Sequence, residues 1–96
     1  MKGRSYLASH LDFDMIGVDH IISTSKVEKE EVANAPFISR LNEEEADMLS
    51  LVLGREVFAS SEKFFSLEKN DVLYIAQIRR IVGAFKVDFV KFEVLA

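Results

Sequence analysis

The run Val72-Leu73-Tyr74-Ile75-Ala76 is apolar or aromatic at every position. Successive side chains of a strand point to opposite faces, so such a run belongs to a strand covered on both sides. A chain containing it must place layers above and below a central strand. The mostly apolar stretch continues to Ile81, and Glu68-Lys69-Asn70-Asp71 ahead of it reads as a polar turn. From Val57 the pattern changes to strand type, with a strand from Lys63 to Leu67. The expectation is a hairpin pairing 63–67 with 72–81.

The last segment is also strand-like. Phe85, Val87 and Phe89 alternate with Lys86 and Asp88, and then Val90, Phe92 and Val94 alternate with Lys91 and Glu93. The parity slips between Phe89 and Val90. A period of two sends every later apolar group to the wrong face unless a bulge absorbs one residue, so a β-bulge is predicted there. A helix grouping Phe85, Phe89 and Phe92 is the competing reading; the β-branched and aromatic content favours strand.

In the first half, Tyr6 to Leu11 has the content of a first strand, ending near Asp12 to Asp14, and Val18 to Ser23 of a second. Ser25 followed by Glu28 matches a capping box, opening a helix from Lys26 to about Asn34 that Pro36 stops. Phe37 to Leu41 is a short extended link. Asn42 then opens a second helix, with Glu43, Glu44 and Glu45 in its first turn, Met48, Leu49, Val52 and Leu53 at helical spacing, and Gly54 closing it. The predicted fold class is α+β: a single mixed sheet of about four to five strands flanked by two helices. Its order is strand, strand, helix, short strand, helix, and three strands.

Ninety-six residues make one domain, 1–96, with a small core, because a chain this size buries only about 60–65% of its unfolded surface. Six of the eight phenylalanines fall in the second half, where they build the core or cover a partner. A homodimer would relieve the shortage of buried area. The formal charge of −4 argues against generic binding to phosphate backbones, duplex nucleic acid included. With no cysteine, a disulfide framework, a thiol nucleophile and cysteine-ligated zinc are all excluded. No apolar run approaches a membrane span and residues 1–11 are too polar for a secretory signal, so the expectation is a soluble, cytoplasmic protein with no membrane partner.

Candidate chemistry is sparse, and no cofactor is expected. His10 and His20 lie on strands expected to be neighbours, and either could serve as a general acid or base, but no carboxylate or nucleophile motif accompanies them. Asp12, Asp14 and Asp19 lack the glycine and distal glutamate of a calcium loop, so they read as a solvated turn and no metal site is expected. The glutamates at 28, 30 and 31 and at 43–45 complement helix dipoles. Arg79 and Arg80 must point to opposite faces, so one of them reaches the inner side, where guanidinium can grip a phosphate or carboxylate. The plain alternative is pairing with Glu68 or Asp71.

Four stretches together resemble the viral ring nuclease family, small dimeric type III anti-CRISPR proteins of archaeal viruses and phages. They are Tyr6-Leu7-Ala8-Ser9, the entry Ala35-Pro36-Phe37-Ile38-Ser39, residues 46–54, and Asn70-Asp71-Val72-Leu73-Tyr74-Ile75-Ala76, with Phe92-Glu93-Val94 fitting the family's last strand. The resemblance implies a dimer whose cleft binds cyclic tetra-adenylate, which family members cleave with the help of a histidine. Here Ser39-Arg40-Leu41-Asn42 stands where the family carries Ser-Ala-x-Gly-His, so that glycine and histidine are absent. Whether the chain is an enzyme is left open, and the implied role is a sponge for a cyclic oligonucleotide messenger in the host cytoplasm.

Ser39, Arg40 and Asn42 would meet the ligand where the second helix begins, with Ser9 and His10 flanking and Arg79 or Arg80 closing the floor. His10 is the one candidate for a substitute general acid. The alternative is an interaction protein that blocks a host defence complex through its acidic face or an exposed edge strand.

Overall fold

The computed structural model describes residues 3–10, 20–60 and 66–95. In chain order the elements are β1 (Ser5–Ala8), β2 (Ile22–Val27), α1 (Lys29–Asn34), β3 (Ile38–Ser39), α2 (Glu43–Leu53), β4 (Val72–Ile81) and β5 (Ala84–Val94). The strands form one mixed sheet in the order β2-β5-β4-β1-β3, so the α+β architecture read from the sequence is the one observed. β4 runs parallel to β1 and antiparallel to β5, and β2 closes the far edge antiparallel to β5.

Both faces of the sheet are packed, as the 72–76 run requires. On the helix face, Leu7, Tyr74, Ala76 and Phe89 meet Val32 of α1 and Ala46, Leu49 and Leu53 of α2. On the opposite face, Tyr6, Ala8, Leu73, Ile75 and Val94 pack with Leu67, and Ile22 and Phe92 lie against them. β4 supplies alternate residues to each core.

That arrangement corrects the predicted bulge. The β4–β5 register runs without interruption from Val72↔Glu93 to Ile81↔Ala84, through Ala76↔Phe89 and Ile75↔Val90. Phe89 and Val87 join the helix-face core, whereas Val94 and Phe92 join the other. The parity slip marks where β5 passes from serving one core to serving the other, so no extra residue is needed.

The predicted hairpin is also corrected. From Val72 to Ile75 both edges of β4 are occupied, by β1 and β5, and the hairpin is β4–β5, turning at Val82-Gly83 with Gly83 at φ 80°. Most of the expected 63–67 strand lies outside the described residues. β1 stops at Ala8, so Ser9 and His10 are not part of the expected strand, whose last residue, Leu11, lies outside the described residues. The second strand begins at Ile22 and runs to Val27; Val18 and Asp19 lie outside the described residues. Ser25 is therefore a strand residue paired with Lys91, and the expected capping box is not formed. α1 starts instead at Lys29, with Glu28 at its N-cap making no side-chain cap bond.

α2 matches its sequence signals. The Asn42 side chain accepts from the Glu45 amide at 2.8 Å, the Glu45 carboxylate accepts from the Asn42 amide at 3.1 Å, and Gly54 ends the helix at φ 66°.

Candidate functional site

The carboxyl ends of β1 and β3 and the start of α2 lie at one end of the sheet. β3 pairs with β1 in parallel, Leu7↔Ser39, and the Arg40 amide donates to the Leu7 carbonyl at 2.8 Å. Ser9 and His10 leave β1 beside this junction, with Ser9 Oγ 3.2 Å from His10 Nδ1. Ser39 Oγ is buried and has no hydrogen-bond partner among the described residues. A buried hydroxyl without a partner forfeits about 1–3 kcal/mol, so it marks a place where a ligand atom would be welcome.

The other expected ligand groups divide between the two faces. Arg40 folds its guanidinium over the Tyr6 ring, 5.7 Å from the centroid, and donates to its neighbour's carbonyl, Ser39 O, at 3.3 Å. Tyr6 belongs to the core on the face away from the helices. Asn42 uses its side-chain oxygen as the helix cap.

Of the two strand-end arginines, Arg80 shares the parity of Tyr74 and Ala76 and forms an ion pair with Glu44 in the first turn of α2. Arg79 lies on the other parity, paired with Asp88 of β5. Arg80 is thus the one on the helix face, but both guanidiniums are exposed, so the expectation that one reaches an inner side is not met. Arg79 bonds across the hairpin, and neither pairs with Glu68 or with Asp71, whose carboxylate instead holds the amides of Arg4 and Glu68, each at 2.8 Å.

The structure brings Ser9, His10, Ser39, the α2 cap and Arg80 to one end of the sheet. It does not bring His10 and His20 together. β1 and β2 are separated by β4 and β5, so the histidines flank opposite ends of the sheet, not neighbouring strands. Asp12, Asp14 and Asp19 lie outside the described residues, and among those described no acidic or histidine cluster could hold a metal. No helix among them is long and apolar enough to cross a membrane.

Two features escaped the sequence reading. One is the Arg40–Tyr6 stacking, which joins residues 34 apart and has no local signature. The other is a polar cluster under α1, where Lys91 Nζ lies 3.4 Å from Glu31 Oε2 and 3.0 Å from Glu93 Oε1, and the Tyr74 hydroxyl donates to Glu31 at 3.3 Å. Burial raises the Tyr74 pKa, outweighing the nearby Lys91 charge, and the hydrogen bond to Glu93 raises that of Lys91. A hydroxyl held protonated in this way suits packing and not nucleophilic attack.

No family model matches the sequence. No curated protein matches it at a significant level. Among solved structures, the chain is similar to B116 of Sulfolobus turreted icosahedral virus, with a TM-score of 0.76 and 13% identity over 95% of this chain and 99% of that one. The likeness covers the whole architecture. At that identity it is a likeness of fold.

Proposed function

We propose that this chain is a viral or mobile-element anti-defence protein that binds a cyclic oligonucleotide messenger in a cleft between two copies, as a sponge. The observation that carries this reading is the buried, unpartnered Ser39 hydroxyl at the end of the sheet where Ser9, His10 and the start of α2 meet. Support comes from the fold shared with a viral protein and from the sequence resemblance to ring nucleases. Ser39 and Ser9 would donate to phosphate oxygens, and Arg40 would swing from Tyr6 to supply charge. Without a histidine at the helix entry, His10 is the one imidazole near the site, so sequestration is favoured over cleavage.

Calorimetric titration with cyclic di-, tri- and tetranucleotides tests the reading. Binding of at least one, weakened at least about tenfold by Arg40→Glu and by Ser39→Val, is expected. Silence across the panel removes it. Recovery of intact ligand after incubation separates a sponge from a nuclease.

One observation favours a second reading, as an interaction protein blocking a host complex. Residues 79–86 of the β4–β5 hairpin are all exposed, Ile81, Val82 and Phe85 among them. A stoichiometric host protein retained from lysate, and lost with Val82→Asp, would bring that reading forward.

A further inference from the structure

A polar cavity lies at the end of the sheet away from Ser39. β1 and β4 run parallel from Ser5↔Val72 to Ala8↔Ile75, so their amino ends lie side by side. Between the segments that lead into them is a cavity of about 450 Å³, within the roughly 300–1,000 Å³ of small-ligand sites. Arg4 and Tyr6 line it from the β1 side, and Ser66, Glu68, Lys69 and Asp71 from the segment ahead of β4.

The walls are fixed by the backbone. Asp71 accepts from the Arg4 and Glu68 amides, the Val72 amide donates to the Arg4 carbonyl at 2.8 Å, and the Asn70 amide donates to the Val94 carbonyl at 2.8 Å. Gly3 lies so close to the Asn70 carbonyl that no side chain fits between the two segments. A cavity with walls held in this way loses little entropy when a ligand fills it.

Its charged side chains divide into two kinds. Asp71 is buried, and both its oxygens are taken by amides. Arg4, Lys69 and Glu68 line the same cavity, yet among the described residues none of the three forms an ion pair, with each other or with any other group. Two cations and a carboxylate that share a cavity without pairing stand far enough apart for a ligand to bridge them. A lone anion would meet the charges of Glu68 and Asp71, and a lone cation those of Arg4 and Lys69. A molecule carrying both signs meets complementary charge throughout. Tyr6 adds an aromatic surface for an apolar side chain.

We propose that this cavity binds a small zwitterion of the amino-acid class. The ligand's carboxylate lies between the Arg4 guanidinium and the Lys69 ammonium, the first suited to a forked grip and the second to a point charge. Its ammonium meets Glu68, and an apolar side chain rests against Tyr6. The Ser66 hydroxyl, donor and acceptor at once, can serve either end. The site is distinct from the cleft proposed above and requires neither a second copy nor a messenger.

Amide NMR spectra of the full, isotope-labelled chain titrated with free phenylalanine test the proposal. Saturable shifts at residues 3–6 and 66–71 are expected, with a dissociation constant on the order of 1 mM, since exposed charge pairs contribute little each. Phenylalaninamide, which lacks the carboxylate, and N-acetylphenylalanine, which lacks the ammonium, should each bind at least about fivefold more weakly. The same loss is expected for phenylalanine with Arg4→Gln or Glu68→Gln. Both variants should fold as the wild type does, because Arg4 and Glu68 fasten the walls through their backbone and not their side chains. Lys86→Gln, which removes a cation from the distant hairpin, should change nothing.

Absence of saturable shifts at about ten times that concentration, or shifts scattered over the surface, overturns the proposal. So does equal affinity for N-acetylphenylalanine or phenylalaninamide, or an Arg4→Gln or Glu68→Gln chain that binds phenylalanine as the wild type does.

Discussion

Asp71 is the buried charged residue of the described structure, 5% exposed in the turn ahead of β4. Its two carboxylate oxygens accept from the amides of Arg4 and Glu68, fastening the start of β1 to the 68–71 turn. A Cβ at Gly3 would lie 1.9 Å from the Asn70 carbonyl oxygen, which shows how closely the two segments approach. Asp71→Ala would strand both amides and should cost about 2–4 kcal/mol in denaturant unfolding. Asp71→Asn, which keeps one acceptor oxygen, should cost less. Equal losses for the two would show that the carboxylate does not act through these bonds. Asp71 reads in the sequence as part of a polar turn; that it would be buried and bonded to residue 4 depends on pairing across 67 positions, which no local pattern encodes.

At the scale of elements, legibility follows how local the deciding interaction is. α2 was readable end to end because Asn42, Glu45 and Gly54 act within four residues of the groups they satisfy. Asn42→Ala should therefore destabilise by about 1 kcal/mol, measured by the same unfolding experiment. Ser25 and Glu28 have the same spacing, yet β2 prevails there because Ser25, Lys26 and Val27 pair with Lys91, Val90 and Phe89. Of the candidate site, the placement of Ser9 and Ser39 at one end depends on the parallel β1–β3 register, and that of Arg80 on the helix face on the pairing of β4, both long-range.

α1 has only six residues and no side-chain bond at its N-cap, so its attachment depends on Val32, on the Glu31–Tyr74–Lys91 cluster and on Arg55, which donates to the Ala33 and Ala35 carbonyls at its C-terminal end. Folding raises the pKa of both Tyr74 and Lys91, so each contributes stability that is complete below its unfolded value, about 10 for tyrosine and 10.5 for lysine. Each contribution is lost as pH rises through the folded value. Stability should accordingly fall above about pH 10. Tyr74→Phe should flatten that alkaline decline, with far-ultraviolet circular dichroism against pH as the readout; an unchanged profile would mean the hydroxyl is not linked to folding.

Across the whole molecule, the sheet divides the interior into two cores that share β4. The sequence reading identified the central strand from its lack of a polar face, but assigned the parity change in β5 to a bulge because it allowed that last strand a single buried side. A strand that crosses between two cores shows the same parity change with no extra residue, and only the position of its neighbours tells the two apart. Separate cores make an energetic prediction. Leu49 of α2 and Leu73 of β4 are both fully buried, one on each side of the sheet. Leu49→Ala and Leu73→Ala should each cost about 2–5 kcal/mol through lost transfer energy and the cavity left behind. With no side-chain partner in common, the double variant should lose the sum to within about 0.5 kcal/mol. Measurement near the temperature of maximum stability, with a stabilising osmolyte added, can keep so weakened a chain folded enough to measure. A coupling energy well above that margin would mean that the sheet transmits a cavity on one side to the packing on the other, and that the two cores behave as one.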